Sequence, residues 1–390
     1  MSTRKPFNWN YETLKATPWV AKGFGLRRSV TLIAATGGTG KTQFSLQCAV
    51  AFALGEPFAG FMPMKRLRSV FITGEEDLEE LQRRLAAVIL ARTAGDRAKA
   101  RELNERLDGW LIIYEGGESD ALVIKDEAGR ISRTAFHAKL LADNLIEPAD
   151  IFWCDPLIRL HSGLDENSST DMQALHNAAH DIAKHGNCCV VLVHHTSKAG
   201  SSSVSSSHSA RGSSALTDAV RVSINMANMS EAEGKQFFPD DPEAYLDHVQ
   251  IADPKQNYAR KSKPKFFKKE SVQLPVLLED NSPDFRFNLA PAKLQVADAD
   301  ILEMPRLKEF LSQMQAGPAA EKFYTAAKTG DGARADLLLA SYGYPKQQCH
   351  KALETLVLHK MLEIKKVRQS HRRTYVYQFV RGTPLAQTVL

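Results

Sequence analysis

The chain has 390 residues, is 43% hydrophobic and 24% charged, and carries a formal net charge of +5. That length and balance fit two or three folded domains and exclude a disordered chain, while so small a net charge does not by itself announce nucleic acid. No apolar stretch is long enough to cross a bilayer, and the opening MSTRKPFNWN lacks the apolar core of a secretory leader, so a cytoplasmic protein is expected.

Residues 1–28 read as a lead-in, with Trp9, Tyr11 and Trp19 as packing anchors. The next segment is the most informative. The apolar run from Val30 to Ala35 reads as a buried strand. It feeds the turn Thr36-Gly37-Gly38-Thr39-Gly40, and Lys41 and Thr42 open a helix whose apolar spacing continues to Leu54. Glycines let the backbone curl so that several N–H groups aim at a phosphate, and the helix N-terminus adds the positive end of its dipole. Gly37, Gly38, Thr39, Gly40, Lys41, Thr42 and Gln43 are the expected nucleotide-binding residues. Lys41 would meet the β- and γ-phosphates and Thr42 would ligate Mg²⁺. The P-loop pattern G-x-x-x-x-G-K-S/T is met except at its first position, where Ala35 stands in for glycine.

Strands are predicted over 70–73, 110–114, 151–155 and 189–193, and helices over 77–90, 133–145 and 171–184. Alternation of this kind predicts an α/β core with a mainly parallel sheet, and ligands in such sheets bind at the carboxyl ends of strands. Three further segments supply chemistry there. Asp155 closes an apolar strand and would hold the Mg²⁺ shell, or else cap the helix that follows. Glu75 or Glu76, in Gly74-Glu75-Glu76-Asp77, would activate water; Glu75 is preferred because it stands at the strand tip. Asp77, Glu79 and Glu80 fit a helix N-terminus. The pair His194-His195 follows the strand over 189–193, and adjacent strand residues point to opposite faces, so one is expected to serve the γ-phosphate and the other to be structural. His194 is the residue selected.

The stretch 198–209, KAGSSSVSSSHS, is a low-complexity serine loop. Arg211 follows it, and a guanidinium beside a γ-phosphate stabilises transition-state charge. Lys255 offers a second cation and opens a run, 255–269, with seven Lys/Arg and no acidic residue. Residues 291–300 are small and polar, an expected interdomain linker between a core over 29–290 and a domain over 301–390. In that domain helices are predicted over 305–314, 319–329, 333–342 and 346–359, then strands over 362–367 and 374–379 around a basic loop. From Gly343 to Arg381 there are nine Lys/Arg and two Glu. Helices followed by a basic-tipped hairpin resemble a winged-helix α+β domain, used for DNA or for protein contacts. Lys346 and Lys351 would enter a groove and Arg368, Arg372 and Arg373 would grip phosphates. The five cysteines, Cys48, Cys154, Cys188, Cys189 and Cys349, form no C-x-x-C pair and read as reduced, mostly buried thiols.

Taken together, the glycine loop, the Gly74-Glu75-Glu76-Asp77 tip, the Asp155 strand, His194-His195-Thr196-Ser197-Lys198, Ala210-Arg211-Gly212-Ser213-Ser214 and Lys255-Gln256-Asn257-Tyr258 resemble the RecA-like ATPase core of hexameric replicative helicases, in particular the RepA type of broad-host-range plasmids. The resemblance spans about residues 19–269. It implies ATP and Mg²⁺ as cofactors and a homo-oligomeric ring acting on single-stranded DNA in replication. It also implies a primase or another replication protein as a partner to look for. In that family the arginine block supplies an inter-subunit finger, so Arg211 inherits that role and Lys255 looks like a second trans-acting cation. The loop containing Lys198 would line the DNA channel, although it lacks an aromatic stacking platform. The alternative from another class is an ATP-switched DNA-binding initiator or regulator without unwinding activity.

Overall fold

Seven consecutive uncharged residues, Ser29–Ala35, form the middle strand of a nine-stranded sheet. The structure is a computed structural model. It describes residues 14–74, 76–115, 120–196, 214–238, 241, 243–258, 264–292, 294, 306–316, 323–324, 335–344, 349–358, 361–369 and 372–379. The chain divides into two compact units, 1–234 with 242–293, and 235–241 with 294–390.

In the first unit the sheet strands are β1 (Ser29–Ala35), β2 (Ser69–Thr73), β3 (Leu111–Glu115), β4 (Ile151–Asp155), β5 (Cys189–His195), β6 (Val222–Asn228), β7 (His248–Gln256), β8 (Lys265–Leu277) and β9 (Pro283–Pro291). Their order is β9-β8-β7-β6-β1-β5-β4-β2-β3. From β6 to β3 all neighbours run parallel, and β7, β8 and β9 are added antiparallel. Parallel neighbours need crossovers. These carry α1 (Lys41–Leu54), α2 (Leu78–Arg92), α3 (Arg97–Leu107), α4 (Ala135–Ile146) and α5 (Ser169–His185), with α6 (Ser214–Ala219) before β6 and α7 (Glu231–Phe237) after it.

Strand alternation sends successive side chains to opposite faces, and both faces are covered. Ile33 and Ala35, with Ile151, Trp153, Val191 and Val193, share a core with α1, α2 and α3. Val30, Leu32 and Ala34, with Phe152, Cys154, Val190 and Leu192, share the other with α4 and α5. Every residue of α1 except Thr42 is buried, so α1 turns no side to solvent. Asp77, Thr134 and Ser168 cap α2, α4 and α5 with their side chains. The five cysteines are free and buried, and burial pushes the thiols of Cys154 and Cys189 up to about 12. No described helix is long and apolar enough to cross a membrane.

The mainly parallel α/β core is as expected from the sequence, with three differences. Helix α3 is absent from the sequence reading because its charged sequence keeps only Leu103 and Leu107 buried, one turn apart. The end of the lead-in is a strand, Trp19–Lys22, paired with Gly25–Leu26 and Met62–Pro63. Part of the basic run 255–269 is sheet: Lys255 and Gln256 close β7 and Lys265 to Lys269 open β8.

The second unit contains α8 (Leu307–Ala316), β10 (Phe323–Tyr324), α9 (Ala335–Ser341), α10 (Cys349–Leu358), β11 (Leu362–Gln369) and β12 (Arg372–Phe379). Its sheet order is β10-β12-β11, antiparallel throughout. Phe310, Leu311, Leu339, Leu353, Leu356 and Tyr377 are central to its core. The helix expected over 319–329 is contradicted by β10, in which Phe323 and Tyr324 pair with Tyr377 and Val376. Adjacent aromatics suit an edge strand, and the pairing overrides the helical spacing. The two long strands also run further than expected, so that Arg368 pairs with Arg373 and Gln369 with Arg372.

Candidate active site

The loop after β1 is built by two left-handed glycines, Gly38 at φ 75° and Gly40 at φ 87°, a conformation that glycine adopts without the Cβ clash. Ala35 needs no such freedom. It is the last residue of β1, paired with His195 on one side and Met226 on the other, so alanine fits there without strain. The Thr39 hydroxyl donates to the Thr36 carbonyl at 2.9 Å. A Cβ on Gly37 or Gly38 would meet nothing within 4 Å, so the curled backbone is open to a ligand. No side chain caps α1, and its first turn holds no acidic residue. Its N-terminal N–H groups and dipole are therefore available to an anion.

Lys41 is 5% exposed. Its Nζ donates to the Thr36 carbonyl at 3.1 Å and to His195 Nδ1 at 3.0 Å. The pairing of β5 with β1 delivers that histidine, since His195 lies level with Ala35 and the Thr196 N–H donates to the Ala35 carbonyl. The sequence favours His194, but His195 is the one that reaches Lys41. His194 faces inward and is buried, and burial, aided by His195, Lys41 and His161, pushes its imidazole down to about 4.

Asp155 is buried at the tip of β4, level with Thr73 of β2, and its carbonyl accepts from the Gly74 N–H. The short helix Leu157–Leu160 takes Pro156 as its cap, so Asp155 does not serve as a helix cap. Thr42, Asp155, His195 and the glycine loop thus share the carboxyl end of the parallel strands. Beside them, Glu76 pairs with Arg84 at 2.6 Å and Asp77 caps α2 by accepting from the Glu80 N–H. Glu75, Lys198, Arg211 and Lys346 lie outside the described residues.

Two other selections stand elsewhere. The Gln43 side chain is buried and donates to Asn288 on β9. Lys255 pairs in register with Ser223, which lies level with Leu32. That is midway along β1, and Nζ turns toward the amino end, where it donates to the carbonyls of Thr217 and Asp218 at 2.7 Å. In the second unit Lys351 lies on α10, Arg368 on β11, and Arg372 and Arg373 on β12.

Sequence reasoning missed Lys269. Its Nζ donates to the Gly38 carbonyl at 3.3 Å and to Asn228 Oδ1 at 3.1 Å, a second cation on the glycine loop from the same chain. Burial pushes its ammonium below the usual lysine range. The available signal was its place at the end of the basic run.

The donor set fits a nucleotide with Mg²⁺: a buried lysine, open glycine amides, one hydroxyl and one carboxylate. Mg²⁺ is commonly held by one or two protein oxygens plus substrate phosphates. Among the described residues no cluster of three or more His, Cys, Asp and Glu could hold a metal alone.

A family model described as an AAA domain matches residues 3–201, just over half of the chain. The chain belongs to the AAA domain family. Two solved structures are similar to it at low identity. A KaiC-like protein of Pyrococcus horikoshii OT3 is 15% identical, with a TM-score of 0.40, 70% of this chain covered and 94% of that one. A DnaB-like replicative helicase, solved in work on its interactions with primase, is 14% identical, with a TM-score of 0.42 and 62% of this chain covered. The match spans 55% of that helicase. In this AAA domain protein β5 separates the P-loop strand β1 from the Asp155 strand β4, the strand order of a RecA-like P-loop ATPase.

Proposed function

We propose that this chain is the protomer of a ring-forming, hexameric ATPase that moves on single-stranded DNA as a RepA-type replicative helicase. The observation that carries the proposal is the separation of two cationic groups within one chain. Lys41 stands at the carboxyl end of the parallel strands, while Lys255, level with the middle of β1, turns its Nζ away toward the carbonyls of Thr217 and Asp218 that precede β6. A γ-phosphate on Lys41 is therefore out of reach of Lys255 of the same chain, and a Lys255 that acts on phosphate acts on a neighbour's.

In this scheme the loop amides of Gly37 to Gly40 and Lys41 cradle the phosphates, and Thr42 and Asp155 hold Mg²⁺, which when bound draws charge from the phosphate oxygens. Glu75 orients and deprotonates the attacking water, because Glu76 is engaged by Arg84. His195 holds Lys41, and His194 braces the strand behind it. Arg211 and Lys255 enter from the neighbouring copy. Lys198 and its loop meet DNA in the channel. The second unit supports a winged-helix reading, since its elements run α-β-α-α-β-β. Lys346 and Lys351 would serve a groove, and Arg368, Arg372 and Arg373 cluster where the β11–β12 hairpin turns.

The test mixes Lys41→Ala protein with Arg211→Ala protein. Completion of sites in trans predicts partial recovery of ATPase in the mixture, and no recovery at any ratio would overturn it. The basic second unit also suits an ATP-switched initiator. Hydrolysis-dependent opening of a forked duplex favours the motor; tight duplex binding without opening favours the switch.

A further inference from the structure

A cavity of about 510 Å³ opens at the amino end of the parallel strands, on the far side of the sheet from the glycine loop. Its walls come from the turn before β1, from α5, from the junction of α6 with β6, and from the residues after β7. They carry Arg27, Arg28, His176, His180, Arg221 and Tyr258, and no carboxylate. Arg27 is already balanced, by Asp150 at 2.6 Å. Arg28 and Arg221 are exposed, and among the described residues neither pairs with a carboxylate.

Two features distinguish this cavity from an ordinary solvated basic surface. Arg28 is held in the left-handed region, at φ 61°, with its N–H donating to the Cys188 carbonyl at 2.7 Å. That backbone strains an arginine where glycine would be relaxed, and it fixes where the side chain leaves the turn. His176 and His180 stand one turn apart on α5 with rings stacked at 5.9 Å and 15°. Burial, with His180 and Arg221 adding to it, pushes the His176 imidazole below its usual range, so His176 lines the wall as a neutral hydrogen-bonding group. The unbalanced positive charge belongs to two guanidiniums, whose forked donors match phosphate oxygens.

We propose that this cavity is a second anion site that binds a phosphate monoester dianion between Arg28 and Arg221. The volume falls within the range of small-molecule sites and leaves room beyond a bare phosphate, and Tyr258, half exposed at the rim, offers an aromatic face to what the phosphate carries. The site does not depend on the glycine loop.

The experiment is calorimetric titration of the full chain with inorganic phosphate and, separately, with AMP. The variants are Arg28→Gly, Arg221→Ala, the pair together, and Arg130→Ala as a surface-charge control. Arg28→Gly removes the guanidinium while easing the backbone, so its melting temperature should not fall. The expected result is one site per chain that survives in Lys41→Ala protein, weakens at least about tenfold in each arginine variant and is unchanged in Arg130→Ala. AMP binding more tightly than phosphate would identify a nucleotide as the source, and equal affinities would identify free phosphate. Isotherms of the double arginine variant that match the wild type for both probes would overturn the site.

Discussion

The two ends of the nine-stranded sheet use cationic side chains in opposite ways. At the carboxyl end Lys41 and Lys269 lie against backbone carbonyls of the glycine loop, one buried and the other driven down in pKa by burial. At the amino end Arg28 and Arg221 face water, while Arg27 is held by Asp150 and Lys255 by two carbonyls near the end of α6. A desolvated ammonium already oriented by carbonyl dipoles meets an anion with little reorganisation. An exposed guanidinium competes with salt and water for its ligand. The loop end is built for fixed geometry and the far end for electrostatic capture.

The sharpest way to break this contrast is Lys41→Ala. Steady-state ATPase should drop by about 1000-fold, at the upper end for loss of one charged donor in a dry site; a modest loss would mean Lys269 can replace it. Lys255→Met should lower the ATPase of the assembled protein roughly 100-fold while leaving nucleotide binding by the single chain intact. A matching loss of binding would place Lys255 in its own chain's site.

His194 tests whether the loop end is locked by burial. Its folded pKa lies below the ordinary histidine value, so the stability it contributes is full above about pH 6.5 and is lost as pH falls toward about 4. The loss should reach on the order of 3 kcal/mol. Urea melts at pH 7 and pH 4.5 should show a smaller drop for His194→Gln than for wild type. Replacing Arg368, Arg372 and Arg373 by alanine should make the log–log salt slope of DNA binding shallower by about 2 to 3. Smallest of all, Ala35→Gly should leave ATPase unchanged and lower stability by about 0.5–1 kcal/mol, since glycine weakens a strand.

The glycine loop was legible because its parts are contiguous: the strand, the turn glycines and Lys41 read off in one line. The α/β alternation was legible for the same reason, each strand and helix being a local pattern. The choice between His194 and His195 was not, because alternation says that the two diverge but only the register of β5 against β1 says which meets Lys41. Lys269 was hidden more deeply. It reaches Gly38 across 231 positions of sequence, through a β8–β9 hairpin that no local pattern ties to the loop. The false helix over 319–329 failed the other way, its spacing being overruled by a strand partner some fifty positions later.

Helix α1 is enclosed on all sides, and the Gln47 side-chain amide clasps the main chain of Leu289, donating to its carbonyl and accepting from its N–H. Tilting that helix would tear open tightly packed interior, at a few kcal/mol for each large side chain displaced. The phosphate cradle is thus a stationary anvil. A change of charge in the cradle would be felt first at His195, the exposed tip of a strand otherwise as buried as α1, because its ring abuts Lys41.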